Sequence, residues 1–175
     1  MLFRSAGNTP LHFARDITIA QGLVKRGASV SCKNVLGRSP LHEACIWSEM
    51  KVFEELLSKF CGRLSEEKDK EGTTLLHLAA ISKIEESRIA KINLLLSLGA
   101  DVNEVSLCGR TAIVMACKNS DELVTRHLVR QGADPNLSDI FGHNVLHSCF
   151  LNYPPGVEDF GFFMPISGLD RKSVV

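Results

Sequence analysis

The chain has 175 residues, enough for one substantial domain, and its 20 basic and 20 acidic residues balance to a net charge of zero. This balance predicts no general attraction to nucleic acid or to an anionic membrane, and no run approaches the roughly 18 apolar residues of a membrane span. The start lacks the apolar core of a signal peptide, and six cysteines without a C-x-x-C pair argue against a disulfide framework, which together predict a cytoplasmic or nuclear protein.

A six-residue phrase recurs along the chain, always two residues after a glycine. It reads TPLHFA at residues 9–14 and SPLHEA at residues 39–44, and weaker copies occupy residues 74–79, 111–116 and 144–149. The leading glycines, which lie 30 to 37 residues apart, are Gly7, Gly37, Gly72, Gly109 and Gly142. Self-similarity at this period indicates a stacked array of structural units, and such arrays usually bind rather than catalyse.

Each phrase predicts the start of a short first helix. A threonine or serine stands where its hydroxyl can cap the helix, and Pro10 and Pro40 fall in the first turn, where no backbone donor is lost. The apolar position that follows is predicted to line one continuous interior. Its occupants are Leu11, Leu41, Leu76, Ile113 and Leu146.

A second helix is predicted in each of the first four units, because apolar residues recur there at spacings of three and four. These stripes comprise Ala20, Leu23 and Val24; Phe53, Leu56, Leu57 and Phe60; Ile89, Ile92, Leu95 and Leu96; and Val124 and Leu128. Another glycine, at position 27, 62, 99 or 132, follows each helix and stands ten residues before the next leading glycine. The connector between units therefore has a constant length, whereas the turn between the two helices varies.

With these features the chain resembles the ankyrin repeat family. The resemblance is carried by the leading glycine, the Thr-Pro-Leu-His-x-Ala phrase, the second helix and a closing phrase that reads GADVN at residues 99–103 and GADPN at residues 132–136. It implies an all-α solenoid of stacked antiparallel helix pairs with projecting β-hairpin-like loops, in about four full repeats plus a partial fifth. We expect a repeat domain over residues 1–150, with units at about 7–36, 37–71, 72–108, 109–141 and 142–150, and an irregular tail over residues 151–175.

Three sites depart from the family pattern. The second unit closes with GRLSE at residues 62–66 instead of the usual closing phrase, Val114 replaces the histidine of the fourth unit, and Cys149 replaces the alanine of the fifth. Because each unit contacts only its neighbours, we expect the stack to survive these changes with reduced local stability.

The resemblance implies a non-catalytic module that binds a protein partner through its loop tips and the exposed side of its first helices. The candidate loop-tip residues are Leu36, Arg38, Leu107, Arg110, Ile140 and Phe141, and the candidate helix residues are Phe13, Glu43, Leu78 and Met115. Several are apolar where solvent favours polar residues, as in a protein-binding strip. The alternative is that the apolar residue before each glycine packs against the next loop.

No combination of residues predicts catalysis, a metal site or a cofactor. Phosphate-binding, nucleophile-elbow, zinc-protease and dinucleotide-binding motifs are absent from the sequence. Histidines at positions 12, 42, 77 and 147 share one repeat position, and this recurrence favours a structural hydrogen bond over metal or acid–base chemistry. His42 and Cys45 leave open a metal-dependent enzyme, although two ligands are fewer than zinc requires. Cys45 and Cys117 leave open a thiol enzyme.

Two short sequences predict further interactions. In the ankyrin repeat family the hairpin asparagine can be hydroxylated, which implies Asn103 as a modification site, favoured by Leu95 eight residues earlier. The alternative is an asparagine that only hydrogen-bonds its hairpin. The C-terminal residues Ser173-Val174-Val175 match a short ligand for a PDZ domain.

The ends of the array leave its extent open. No polar capping unit precedes the first glycine, and the tail carries Phe160, Phe162 and Phe163, which we expect to cover the fifth unit. The expected protein is a monomer with an unidentified protein partner. The alternative is the repeat region of a larger protein, such as a ubiquitin-ligase substrate receptor or a multidomain enzyme, although the tail lacks the helices of a SOCS box.

Overall fold

The computed structural model of the protein describes residues 7–147. Over this range the chain forms seven complete α-helices, which are α1 (Ile17–Lys25), α2 (Pro40–Trp47), α3 (Met50–Ser58), α4 (Leu75–Ala80), α5 (Glu85–Ser97), α6 (Ala112–Lys118) and α7 (Glu122–Arg130), and a further helix begins at Val145. Two 3-10 helices span Pro10–Phe13 and Leu64–Glu66. Within residues 7–147 the only β-type pairing is an isolated antiparallel bridge between Lys68 and Thr74, so the expected all-α architecture is confirmed.

The helices stack in two rows. The first helix of each unit contacts the first helix of the next, so that Pro10–Phe13 packs on α2, α2 on α4, and α4 on α6. The second helices α1, α3, α5 and α7 contact one another in the same order. The two helices of each unit are also in contact, so each apolar stripe is covered by its own partner and by the neighbouring units.

The buried interior follows the phrases, with one exception. Four of the five predicted positions are at most 2% exposed, namely Leu11, Leu41, Leu76 and Ile113. The prediction is wrong for Leu146, which is 36% exposed, whereas the preceding Val145 is fully buried. The reason is its place at the end of the array, because no element among the described residues stacks beyond its unit.

The histidine of the phrase closes the start of the first helix. In the first three units its Nδ1 lies within hydrogen-bond distance of the backbone nitrogen of the capping residue. The distance is 3.0 Å for Thr9 and His12, 3.1 Å for Ser39 and His42, and 3.3 Å for Thr74 and His77. An otherwise unpaired backbone donor at the helix start is thereby satisfied by a side chain three residues later.

A buried lysine joins the second and third units. Lys91 on α5 is fully buried, and its Nζ donates to the carbonyl oxygens of Cys45 (2.9 Å) and Ser48 (2.5 Å) and to Ser82 Oγ (3.3 Å). The two carbonyls stand at the end of α2, where a helix leaves acceptors without intrahelical partners. Lys91 therefore caps a helix of the preceding unit and ties the two units together.

The helices of the array are short. The longest, α5, has 13 residues. No helix within residues 7–147 combines the length and the apolar content needed to cross a membrane.

Several predictions fall on residues 148–175, outside the described residues. They are the irregular tail, its Phe-rich cover over the fifth unit, Cys149 and the PDZ ligand Ser173-Val174-Val175. These stay predictions, as do the expected unit boundaries.

Candidate functional site

The connectors between units end in tight loops whose tips form one row. We define the tip row as the residue pairs directly before the leading glycines, which are Val35 and Leu36, Lys70 and Glu71, Leu107 and Cys108, and Ile140 and Phe141. One backbone hydrogen bond joins each tip to the next, from Lys70 N to Leu36 O (3.0 Å), from Leu107 N to Glu71 O (2.9 Å) and from Ile140 N to Cys108 O (3.1 Å). Consecutive Cα atoms lie about 3.8 Å apart and hydrogen-bonded chains about 5 Å apart, so neighbouring tips lie at most about 9 Å apart.

A polar side chain three residues before the glycine holds each tip in place. Asn34 Oδ1 accepts hydrogen bonds from the backbone N–H groups of Leu36 (2.9 Å) and Arg38 (3.0 Å), and Asp69 and Asp139 hold their own tips in the same way. Burial alone would raise the pKa of Asp139, but these backbone hydrogen bonds lower it, so the group is a carboxylate. Asn34, Asp69 and Asp139 were not among the predicted site residues, although their constant position three residues before the leading glycine was a usable signal.

The apolar residues predicted at the tips are exposed to solvent. The exposed fractions of Leu36, Leu107, Ile140 and Phe141 are 53%, 73%, 65% and 68%. More than half of each side chain is therefore open to solvent instead of packed against the next loop. Their role in binding stays a prediction.

The residues predicted on the first helices differ in accessibility. Phe13 is exposed, and Glu43 and Met115 are half-buried. The prediction is wrong for Leu78, which is 1% exposed. The reason is that α4 packs between α2 and α6, and all six of its residues are buried. Leu78 therefore does not belong to the accessible surface.

The two arginines predicted beside the tips have different surroundings. Arg38 Nε lies 3.2 Å from Asp69 Oδ2, and its Nη1 lies 3.9 Å from Glu43 Oε1. Arg110 Nε lies 4.0 Å from Asp139 Oδ2 and has no hydrogen-bond partner among the described residues. Two carboxylates thus face Arg38, whereas one more distant carboxylate faces Arg110.

Two of the repeated histidines, His12 and His77, make structural hydrogen bonds between units. Because their Nδ1 accepts from the backbone, we assign the proton to Nε2, which donates to the carbonyl oxygen of the next unit. The distances are 3.0 Å from His12 to Arg38 O and 2.8 Å from His77 to Arg110 O. Burial lowers the pKa of His77, so its ring is neutral near pH 7. No group of three or more His, Cys, Asp and Glu side chains suited to a metal ion occurs within residues 7–147.

In the second unit the histidine contacts a carboxylate through Nδ1, and His42 Nε2 is buried without a hydrogen-bond partner among the described residues. Ser39 Oγ donates to Glu67 Oε1 (2.7 Å), and His42 Nδ1 lies 3.3 Å from the same oxygen. Burial alone would raise the pKa of Glu67, but its contacts with His42 and Ser39 and the nearby Lys33 lower it. Burial raises the pKa of the neighbouring Cys45 thiol to about 12, which removes the basis for a thiolate nucleophile there.

The fourth unit lacks the histidine, and its capping hydroxyl has lost a partner. Thr111 Oγ1 is buried without a hydrogen-bond partner among the described residues, and Val114 stands where the histidine would be. In the third unit the corresponding Thr74 Oγ1 lies 2.7 Å from His77 Nδ1. Thr74 Oγ1 also accepts a hydrogen bond from His77 N (3.4 Å), so the two threonines form a matched pair of a paired and an unpaired capping hydroxyl.

Thr111→Val is expected to raise the free energy of unfolding by about 1 kcal/mol, because it removes a buried hydroxyl that has no partner. Thr74→Val is expected to lower it by about 1–2 kcal/mol, because the hydroxyl is paired there and His77 loses its contact. Urea unfolding followed by circular dichroism measures both values. A loss of stability in both variants would contradict the assignment of Thr111 as unpaired.

Asn103 joins the connectors of the third and fourth units. Its Oδ1 accepts a hydrogen bond from Asp134 N (2.8 Å), and its Nδ2 donates to Gly132 O (3.2 Å). Both ends of the amide are thus engaged with the next unit. Hydroxylation of this residue stays a prediction.

The fold and the tip row together define the class of this protein as a helical repeat solenoid that presents a regular row of loops. A family model of three ankyrin repeats matches residues 13–106, and a single-repeat model matches residues 108–140. The chain therefore belongs to the ankyrin repeat family. Ankyrin repeats are generic protein-interaction modules and are in general non-catalytic.

Similar repeats occur in proteins of several kinds. The chain is 32% identical over 146 residues to the B-cell lymphoma 3 protein homolog of Mus musculus, which covers 80% of this chain and 32% of that protein. It is 29% identical over 162 residues to the transient receptor potential cation channel subfamily A member 1 of Drosophila melanogaster, and the matched region covers 86% of this chain and 13% of that protein. It is 27% identical over 148 residues to the E3 ubiquitin-protein ligase XBAT33 of Arabidopsis thaliana, and the matched region covers 83% of this chain and 27% of that protein. The chain spans about a third or less of the length of these relatives.

Proposed function

We propose that this protein is a non-catalytic module that binds a protein partner through the tip row and the adjoining exposed positions of the first helices. The observation that supports this proposal best is the alignment of four exposed apolar tip residues, Leu36, Leu107, Ile140 and Phe141, along one backbone ladder. The adjoining helix positions are Phe13, Glu43 and Met115.

Burial of these side chains against a partner is favourable. Apolar surface removed from water contributes about 25 cal/mol per Å², and aligned apolar residues on a surface mark interaction sites. The ladder between Leu36, Leu107 and Ile140 fixes the spacing of the tips before a partner arrives. Little conformational entropy is then lost on binding, which favours affinity.

The test is affinity purification of the tagged full chain with quantitative mass spectrometry. Leu107→Asp and Phe141→Asp are expected to reduce recovery of the specific partner about tenfold, because each places a charge in the apolar strip. Leu123→Asp is the matched control, because Leu123 is 70% exposed but lies on α7, away from the tip row. Equal recovery by all variants, with folding confirmed by circular dichroism, would refute the proposal.

A second candidate is the repeat region of a larger protein, such as a ubiquitin-ligase substrate receptor or a multidomain enzyme. The observation that favours it is the coverage of the relatives, since the chain spans 27% of the ubiquitin ligase that it matches. Immunoblotting of cell extracts with an antibody to the repeats distinguishes the two candidates. A single band near 19.2 kDa would count against the larger protein.

The sequence supports further proposals on oligomeric state, location, modification and a second binding partner. The protein is proposed to act as a monomer in the cytoplasm or nucleus, and fluorescence microscopy with sedimentation analysis checks both points. Asn103 is proposed as a hydroxylation site. Mass spectrometry that detects only unmodified Asn103 in cells would refute this proposal. A PDZ domain is proposed to bind Ser173-Val174-Val175, and one residue added after Val175 should abolish that binding.

A further inference from the structure

The tips before Gly109 and Gly142 differ from the earlier tips because apolar residues lie there next to Arg110, a cation with only one distant carboxylate partner. Leu107, Ile140 and Phe141 are the three most exposed apolar side chains of the tip row. Arg110 lies between them, because it follows the Leu107–Cys108 tip and faces Asp139, the residue whose carboxylate holds the Ile140–Phe141 tip.

The positive charge of Arg110 is less balanced than that of Arg38. At Arg38 the Nε is 3.2 Å from Asp69 Oδ2, and Glu43 supplies a second carboxylate five residues along the chain. At Arg110 the nearest carboxylate is 4.0 Å away, and Met115 occupies the position that corresponds to Glu43.

Asp139 holds its own tip through one oxygen and faces Arg110 with the other, Oδ2, at 4.0 Å. Asp139 Oδ1 accepts hydrogen bonds from the backbone N–H groups of Phe141 (2.9 Å) and His143 (3.0 Å). Arg110 Nε is buried and has no hydrogen-bond partner among the described residues, but the Arg110 side chain as a whole is 35% exposed. A guanidinium that is accessible in this way binds a carboxylate in two-pronged geometry. The chemistry of this place is therefore that of a carboxylate receptor with apolar residues on either side.

Resting on the proposed protein-binding function, we infer that the partner presents a linear segment in which an acidic residue stands between two apolar residues. Arg110 pairs with the carboxylate, while Leu107 on one side and Ile140 with Phe141 on the other contact the apolar residues. We name these four residues the acid-reading patch.

The spacing of the ladder fits an extended conformation of that segment. Neighbouring tips lie at most about 9 Å apart, and a polyproline II chain rises about 3.1 Å per residue with three residues per turn. Residues three apart in such a chain point to the same side and lie about 9 Å apart. The segment therefore carries its two apolar residues three apart, with the acidic residue at one of the two intervening positions.

The test uses synthetic peptides of this pattern and the full chain. Two leucines or phenylalanines stand three residues apart, Pro, Ser and Gly fill the other places, and one intervening position is Asp, Glu, Asn, Gln or Lys. Fluorescence anisotropy gives the affinities. Peptides with Asp or Glu are expected to bind about tenfold more tightly than their Asn or Gln counterparts, because a charge-assisted hydrogen bond is lost in the amides.

The variants separate the charge from the apolar contacts. Arg110→Gln should abolish the preference for the acidic peptides, and Arg110→Lys should retain part of it. Arg38→Gln should reduce the preference less than Arg110→Gln does, because Asp69 and Glu43 already balance Arg38. Arg126→Gln, on the distant helix α7, should leave the affinities unchanged.

The outcomes distinguish this inference from the proposed function. Equal binding of acidic and amide peptides overturns the inference, whereas the partner recovery with Leu107→Asp decides the function separately. Loss of peptide binding in Arg126→Gln equal to that in Arg110→Gln also overturns it.

The chain itself contains Glu158, Asp159 and Phe160. Tighter peptide binding by a Glu158→Gln/Asp159→Asn variant would assign the acid-reading patch to that segment and overturn its assignment to a separate partner.

Discussion

Lys91→Ala is expected to lower the free energy of unfolding by about 3–4 kcal/mol. The substitution removes a fully buried aliphatic chain and leaves the carbonyls of Cys45 and Ser48 without their donor. Lys91→Met keeps the length of the side chain and should lose only about 1–2 kcal/mol. Lys51→Ala, at an exposed position on α3, should change stability by less than about 0.5 kcal/mol. Urea unfolding measures all three.

The same lysine gives the stability a predictable pH dependence. Burial lowers the pKa of Lys91 from 10.5, the nearby Cys45 opposes this shift, and Arg88 adds to it. Between the lowered folded value and 10.5 the unfolded chain binds more protons than the folded chain, so stability rises with pH in that range. We therefore expect the wild-type protein to gain stability relative to Lys91→Met as the pH rises toward 10.5. A relative loss over that range would contradict the burial of a titrating amine.

Gly72→Ala is expected to lower the free energy of unfolding by about 3 kcal/mol. Gly72 has a φ of +72°, and a Cβ there would lie 2.9 Å from the backbone nitrogen of Leu107. The strain of the left-handed backbone contributes about 1–2 kcal/mol. The remainder comes from separating the two tips, which breaks the hydrogen bond between Leu107 N and Glu71 O.

Gly99 in the same unit provides the control for the steric part. Its φ is +87°, but a Cβ there would meet no atom within 4 Å. Gly99→Ala should therefore show only the backbone strain, about 1–2 kcal/mol. Chemical unfolding of both variants gives the difference. Equal losses for Gly72→Ala and Gly99→Ala would show that contact between the tips contributes nothing.

The features predicted from the sequence are those that each unit determines locally. The capping threonine, the first-turn proline and the apolar position of each phrase depend on residues within one helix, so the helix starts and the burial of Leu11, Leu41 and Ile113 could be predicted. The loop glycines predicted the positions of the tips, but not whether the apolar residues there are exposed or pack against the next loop, because that depends on the neighbouring unit.

The features that the sequence did not reveal depend on contacts between units. Lys91 lies on a helix where a charged residue usually faces solvent, and its acceptors at Cys45 and Ser48 are more than 40 residues away in the chain. The burial of Leu78 follows from helices on both sides of α4. The contrast between Arg38 and Arg110 likewise depends on distances to Asp69 and Asp139, which lie 31 and 29 residues further along the chain, and the sequence does not show these distances.

The missing histidine at position 114 makes the junctions of the array unequal. His12 and His77 donate hydrogen bonds to a carbonyl of the next unit, and Lys91 hydrogen-bonds the second unit to the third. At the step from the fourth unit to the fifth, Val114 stands at the histidine position and cannot make such a bond. Local opening should therefore start at that step, and amide exchange there should be faster than around α4. A ligand bound across Leu107 and Ile140 would contact both sides of this step. Ligand binding should therefore slow the local opening of the array at its C-terminal end.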